Sequence, residues 1–305
     1  MQQTYYSNGK LLITGEYLVL DGAIALALPT KTGQNLVVSP GENQQIQWKS
    51  YDFDGSIWFE NNFSFDAIIA NKKPEIETIE STLINILHEA YLLDPNFIKT
   101  AKGYQVETHL TFPRKWGLGT SSTLLNNIAQ WAKIDAFTLL KNSFGGSGYD
   151  IACAQNDKPI TYQLIDGEPK VTTVSFEPDF TANIHFIYLN KKQSSKAAIS
   201  AYYNHKSNNL AHNIATINNL TEKTLTAETA KDFAKTLQQH EIFMSNVLEL
   251  HTVKEHFFSD FDGVIKSLGA WGGDFVMAIS KENPKQYFTD KGYDTVLAYD
   301  EMILL

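Results

Sequence analysis

The chain has 305 residues, 43% of them hydrophobic, and carries 34 acidic against 25 basic side chains for a formal net charge of −9. That is enough apolar sequence for a sizeable core in one large or two smaller domains, while an acidic balance with one arginine, Arg114, excludes the basic face that non-specific nucleic-acid binding needs. A single cysteine, Cys153, excludes an intrachain disulfide and a cysteine-built zinc site, and it points to a reducing, cytoplasmic setting. No apolar run approaches the ~20 residues of a membrane helix, and Glu16 interrupts the apolar stretch 11–20 that would otherwise suggest a leader.

Lys10–Tyr17 and Ala23–Leu28 read as strands joined at Asp21-Gly22. Ile46–Lys49 and Ile57–Glu60 form a hairpin through Asp54-Gly55. Ile76–Leu93 places Ile76, Ile79, Leu83, Ile86, Leu87, Ala90 and Tyr91 on one stripe, an amphipathic helix. Gly103–Phe112 alternates Tyr104, Val106, Thr108 and Leu110 with polar residues, a half-buried strand.

That strand runs into Pro113-Arg114-Lys115-Trp116-Gly117-Leu118-Gly119-Thr120-Ser121-Ser122-Thr123, and helical spacing of Leu124, Leu125, Ile128, Ala129, Trp131 and Ala132 follows. Gly117 and Gly119 allow close approach of the backbone to a ligand, and three hydroxyls stand where the first unpaired N–H groups of the helix point. A helix start carries roughly half a positive elementary charge, so the stretch is built to hold an anion. Equally, Thr120, Ser121 and Ser122 could serve as an N-cap after a turn. The stretch matches neither G-x-x-x-x-G-K-[ST] nor the dinucleotide fingerprint, since Ser122 stands where a third glycine would.

Lys141–Tyr149 reads as a loop rich in glycine, and Asp150 opens a short apolar segment, Ile151–Ala154, as a capping residue or a functional carboxylate. Hairpin strands Tyr162–Ile165 and Val171–Phe176 flank Asp166-Gly167, and strand Ile184–Leu189 leads into Asn190–Lys196 and a helix. Helices at Asn204–Asn219 and Thr226–Leu250, strands at Val264–Ser267, Phe275–Ile279 and Asp294–Tyr299, and the glycine stretch Gly269–Asp274 complete the chain. The domain boundary is set near Glu177, dividing 1–176 from 177–305.

Three glycine-bearing stretches in this order, Asn8–Leu20, Pro113–Ser122 and Gly269–Asp274, with Gly146-Ser147-Gly148-Tyr149-Asp150 between the last two, resemble the signatures of the GHMP kinase superfamily. Gly15-Glu16-Tyr17 and Gly272-Gly273-Asp274 are most similar to its phosphomevalonate kinase and mevalonate kinase branch. The resemblance implies an α+β, two-lobed GHMP kinase fold, with an N-terminal lobe like domain 2 of ribosomal protein S5 and a ferredoxin-like C-terminal lobe. It implies ATP and Mg²⁺, a small-molecule acceptor with mevalonate and phosphomevalonate as candidates, no nucleic-acid or membrane partner, and it is compatible with a homodimer. Carried over by residue, Gly117, Leu118, Gly119, Thr120, Ser121 and Ser122 wrap the ATP phosphates, Ser121 approaches Mg²⁺, Asp150 is the catalytic acid-base and Lys10 assists near the transferred phosphate. Glu16, Ser194, Ser195, Gly272, Gly273 and Asp274 face the substrate on the same basis. Lys10 as an ordinary surface lysine at a strand start is the plain alternative.

The chain also departs from the pattern. No glutamate lies among the 28 residues between Ser121 and Asp150, where mevalonate kinases carry a metal-binding one, and Trp271 stands where the family has glycine. An indole there would narrow or reshape the ligand cleft, or pack in the core. Two other readings share the fold: a diphosphomevalonate decarboxylase-like lyase, which would need more basic side chains than Arg114 alone supplies, and a non-catalytic ligand-binding protein.

Overall fold

The computed structural model describes residues 1–72, 74–193, 195–204 and 209–304. The chain forms two compact units: residues 1–9, 32–114 and 118–155 make the first, and 10–31, 115–117 and 156–305 the second. The expected division at 176/177 runs through the second unit, because the hairpin before it pairs with residues near the start of the chain. No helix among the described residues is long and apolar enough to cross a membrane.

The first strands are β1 (Gln3–Thr14), β2 (Ala25–Pro40), β3 (Gln45–Tyr51) and β4 (Ile57–Ser64). After them come α1 (Phe65–Ala70), α2 (Ile79–Leu93), α3 (Asn96–Lys99), β5 (Tyr104–Leu110), α4 (Thr120–Ala132), α5 (Ala136–Ser143) and α6 (Tyr149–Ala154). In the first unit β5 lies between β3, which it pairs in parallel, and the later half of β2, antiparallel from Gln34↔Leu110 to Pro40↔Tyr104. Val106, Thr108 and Leu110 are buried, as the period of two requires.

Helix α2 begins at Ile79 rather than Ile76, because Thr78 and Ser81 close a capping box; Ile76 is left outside and exposed. Leu83, Ile86, Leu87 and Ala90 carry its apolar face into the core with Leu125, Ile128, Leu139 and Ile151, where each fully buried large aliphatic is worth about 1.5–3 kcal/mol. The expected loop 141–149 is shorter than read. Asp135 accepts from the Thr138 N–H and starts α5, which runs on to Ser143.

The second unit adds β6 (Ile160–Ile165), β7 (Glu168–Thr173), β8 (Ile184–Tyr188), α7 (Ser195–Asn204), α8 (Leu210–Leu225), α9 (Ala230–Leu248) and α10 (Val253–Phe257). It closes with β9 (Val264–Leu268), β10 (Phe275–Ile279), α11 (Lys285–Asp290), β11 (Val296–Ala298) and α12 (Tyr299–Met302). β6 pairs with Ala25–Ala27 of β2 and, through its hairpin, with β7. Four antiparallel strands in the order β11-β8-β10-β9 form a separate sheet, the β-α-β-β-α-β arrangement of a ferredoxin-like lobe. Every residue of β10 is buried.

Candidate active site

Two groups of predicted residues lie in the first unit. The strand-to-helix stretch enters α4 through Gly119, which has φ 99° and is the N-cap. A side chain is disfavoured in that left-handed conformation, and no side chain caps the helix. The hydroxyls therefore do not make the N-cap that sequence alone allowed. Ser122 turns back to donate to the Gly119 carbonyl at 2.9 Å, and the single Thr123 hydroxyl proton is shared between Gln34 Oε1 at 2.7 Å and the Gly119 carbonyl at 3.0 Å. Ser121 is exposed. Thr120 Oγ1 is buried and has no hydrogen-bond partner among the described residues. A 13-residue helix thus presents an uncapped N-terminus beside an unsatisfied hydroxyl, the donor set an anion would complete.

Asp150 sits in the first turn of α6, two residues after the N-cap Gly148. Its carboxylate lies near the positive end of a helix, but it is not the capping residue that position alone suggested. The following residues Ile151, Ala152 and Cys153 are fully buried, so α6 is anchored by packing just beyond the carboxylate. The one arginine is engaged within this unit. The Arg114 N–H donates to Asp52 Oδ1 at 3.0 Å, and its guanidinium lies 4.7 Å from the Trp58 ring centroid.

The second unit gathers Lys10, Gly117 and Asp274. Lys10, on β1, donates from Nζ to the Gly117 carbonyl at 3.4 Å. Gly117 has φ 71°, and a Cβ there would lie 2.4 Å from the Asp274 carboxylate carbon, so its lack of a side chain is required by a neighbour as well as by its conformation. Asp274 is itself locked. Its N–H donates to the Lys191 carbonyl at 2.7 Å, its carbonyl accepts from the Leu189 N–H at 2.8 Å, and Oδ1 accepts from the Gln193 N–H at 3.4 Å. Burial pushes its carboxyl above the usual range, against the pull of Lys10. Gly272 and Gly273 form the turn just before it, with Gly273 backed by the Gln193 side chain.

Glu16 also belongs to the second unit. It follows β1 in a turn, is only 2% exposed, and its Oε1 lies 2.5 Å from Lys266 Nζ in the protein interior. Ser194 falls outside the described residues; Ser195 opens α7, and its side chain is likewise outside them. Trp271 packs with Tyr17, Leu18, Tyr202 and Met244, its backbone N–H donating to Tyr17 Oη and its indole N–H to the His251 carbonyl. Trp271 is only partly buried there, at the edge of that cluster. No group of three or more His, Cys, Asp or Glu among the described residues is arranged to hold a metal ion.

Sequence reasoning missed Lys266, Glu241 and His240, which surround Glu16, and Trp116 and Tyr188, which flank Gly117. A lysine inside the apolar run Val264–Leu268 was the available signal for the first group; the second carried none.

No protein-family model and no curated protein sequence matches the chain. Solved structures do. The mevalonate kinase of Methanococcus jannaschii superposes with a TM-score of 0.72 at 14% identity, covering 100% of this chain and 99% of that one. The Streptococcus pneumoniae phosphomevalonate kinase, in complex with phosphomevalonate and AMPPNP, gives 0.70 at 15% identity over 97% and 99%. Lactococcus lactis galactokinase, complexed with galactose, gives 0.67 at 13% over 99% and 93%.

Proposed function

The chain has the fold of GHMP kinases, and from that premise we propose that it is an ATP-dependent small-molecule kinase. The observation that carries this reading is the uncapped N-terminus of α4 behind a left-handed glycine, with the buried, unpartnered Thr120 hydroxyl beside it. Phosphoryl transfer asks mainly for positioning and charge neutralisation. Gly117 to Ser122 receive the nucleotide phosphates, and Lys10 neutralises charge on the transferred group. Asp150 takes the acceptor proton. Gly272, Gly273 and Asp274 shape the acceptor side. Mg²⁺ suits a site of this kind, because it keeps water and phosphate ligands and needs few from protein; Ser121 offers an exposed hydroxyl for it. When bound, the ion would supply positive charge against the nucleotide phosphates, with Ser121 the side chain that would face it.

The acceptor is a hydroxyl or phosphate compound, with mevalonate and phosphomevalonate as the first candidates. The one arginine, its guanidinium held beside Trp58 and Asp52, weighs against a decarboxylase-like lyase, whose diphosphate and carboxylate call for several basic groups. Buried Cys153 supports a cytoplasmic setting. Incubation with ATP, Mg²⁺ and a panel of mevalonate, phosphomevalonate, homoserine and galactose should yield ADP and one phosphorylated product. Asp150→Asn should then lower kcat about 10²- to 10⁴-fold with ATP affinity nearly unchanged. A carboxylate that only complements the helix end would leave turnover intact and cost about 0.3–1 kcal/mol of stability.

A further inference from the structure

Lys115, Trp116 and Gly117 belong to the second unit, although the residues on either side belong to the first. Three side chains hold them there. Tyr188, at the end of β8, donates from its hydroxyl to the Lys115 carbonyl at 3.2 Å. The Trp116 ring meets Phe275 edge-on at 5.4 Å, interplanar angle 84°, and lies 6.3 Å from the Tyr188 ring. The Asp274 carboxylate occupies the space where a side chain on residue 117 would stand.

We propose that Trp116, Tyr188 and Asp274 form a clamp that sets the peptide planes of Lys115–Gly117 and so aims the backbone donors of the phosphate turn, making Trp116 and Tyr188 positioning residues. The inference rests on the kinase reading above and adds to it Tyr188, which lies outside the glycine signatures, and a role for Trp116, to which the resemblance assigns none. The argument is geometric. A trans peptide is planar, with its C=O and N–H pointing in opposite directions. Holding the Lys115 carbonyl toward Tyr188 sends the Trp116 N–H the other way, and holding the Gly117 carbonyl toward Lys10 does the same to the Leu118 N–H. The edge-on contact with Phe275 prevents the residue between these two carbonyls from rotating.

Such an outside hold is needed because the turn cannot orient itself. Gly117 and Gly119 flank Leu118, and glycine is the residue with the widest choice of backbone conformations. Backbone donors bind the nucleotide phosphates tightly only when they are aimed beforehand. Asp274 can serve as the fixed wall, since both of its backbone groups are hydrogen-bonded to the segment 189–191.

The clamp is tested with the full chain and two conservative variants, Tyr188→Phe and Trp116→Phe, each checked for native circular dichroism. Calorimetry with MgATP should show affinity weakened about three- to tenfold in Tyr188→Phe, the effect of one lost hydrogen bond. In turnover assays KM for ATP should rise with kcat within twofold. Nucleotide should change the tryptophan emission of the parent, and that change should vanish in Trp116→Phe. Amide hydrogen exchange at residues 116–118 should be about tenfold faster in Tyr188→Phe even without nucleotide. Folded variants that bind MgATP like the parent and exchange these amides at the parental rate would overturn the clamp. A parent that binds no MgATP would overturn the kinase reading instead, and the exchange measurement would still decide the clamp.

Discussion

The two units bury polar side chains in opposite ways. In the first, a set of neutral groups lies between α4 and the early strands: Ser7 Oγ donates to Asn127 Oδ1 at 2.8 Å, Asn126 Nδ2 donates to Ser7 Oγ at 2.9 Å, and Asn127 Nδ2 donates to the Gln34 carbonyl at 2.9 Å. Donors and acceptors match. In the second, Lys266 is fully buried between Glu16 and Glu241, at 2.5 and 3.4 Å, and Glu241 also accepts from the Ser267 N–H and hydroxyl. His240 Nε2 accepts from the Gly15 N–H at 3.1 Å, which requires that nitrogen to be unprotonated. Burial, and then the nearby Lys266 charge, hold His240 well below its ordinary value. Here the matching is incomplete, because Glu16 Oε2 and His240 Nδ1 have no hydrogen-bond partner among the described residues.

Each system ties sequence-distant segments together within its own unit, but only the charged one makes that tie depend on protons. Burial drives the Glu16 carboxyl up to about 7, in spite of attraction and hydrogen bonding from Lys266. For Lys266, burial acts to lower the value, and the two carboxylates outweigh it. Buried ion pairs are poor sources of net stability, because desolvation consumes most of the attraction, yet removing one member is costly. The largest expected effect follows from that asymmetry. Lys266→Met leaves two carboxylates buried without a cation and should cost about 3–5 kcal/mol in urea unfolding. A loss under about 1 kcal/mol would mean the cluster is better hydrated than its burial indicates.

Second in size is a pH effect. The native Glu16 carboxyl keeps its proton up to about pH 7, whereas the unfolded chain releases it near 4.5. Its contribution is therefore fully present below pH 4.5 and is lost as pH rises through about 7, to a total of about 3 kcal/mol. Glu16→Gln removes the titration. The parent should lose stability relative to this variant between pH 4.5 and 8, measured by unfolding at each pH, and a difference that stays constant with pH would contradict the assignment.

These two systems also mark how far sequence reading reaches. The glycine signatures located α4, α6 and the turn before β10 because glycine spacing and a strand-to-helix change are local signals. Asp150 was placed at a helix start, as it proved to be. The buried ion-pair setting of Glu16 was not legible because its partners His240 and Lys266 stand on α9 and β9, far along the chain, and local pattern carries no record of them. Helix α4 shows the same limit. Its apolar spacing gave the helix, but not the burial of Asn126 and Asn127, whose partners are Ser7 and Gln34. Helix α5 was missed for a different reason: Asp135 is a good N-cap signal, but the glycine-rich stretch after it drew the loop reading backward to Lys141.

The smallest expected effect belongs to the neutral system, and it sharpens the contrast most. Asn127→Leu preserves volume but removes both an acceptor and a donor, leaving the Ser7 hydroxyl and the Gln34 carbonyl to find other partners in a buried site. The cost should be about 1–3 kcal/mol, that of unsatisfied buried polar groups. No member of this set titrates between pH 5 and 8, so the loss should be the same throughout that range. Asn127→Asp keeps the shape and the acceptor, but it loses the donor to Gln34 and puts a carboxyl where Asn127 is fully buried. Burial would raise that carboxyl, so the variant should lose stability as pH rises, as the Glu16 cluster does. Unfolding of both variants at pH 5 and pH 8 decides the point. A flat response from Asn127→Asp would show that burial alone does not make a polar tie proton-sensitive in this fold, and that the behaviour of Glu16 depends on its charged neighbours.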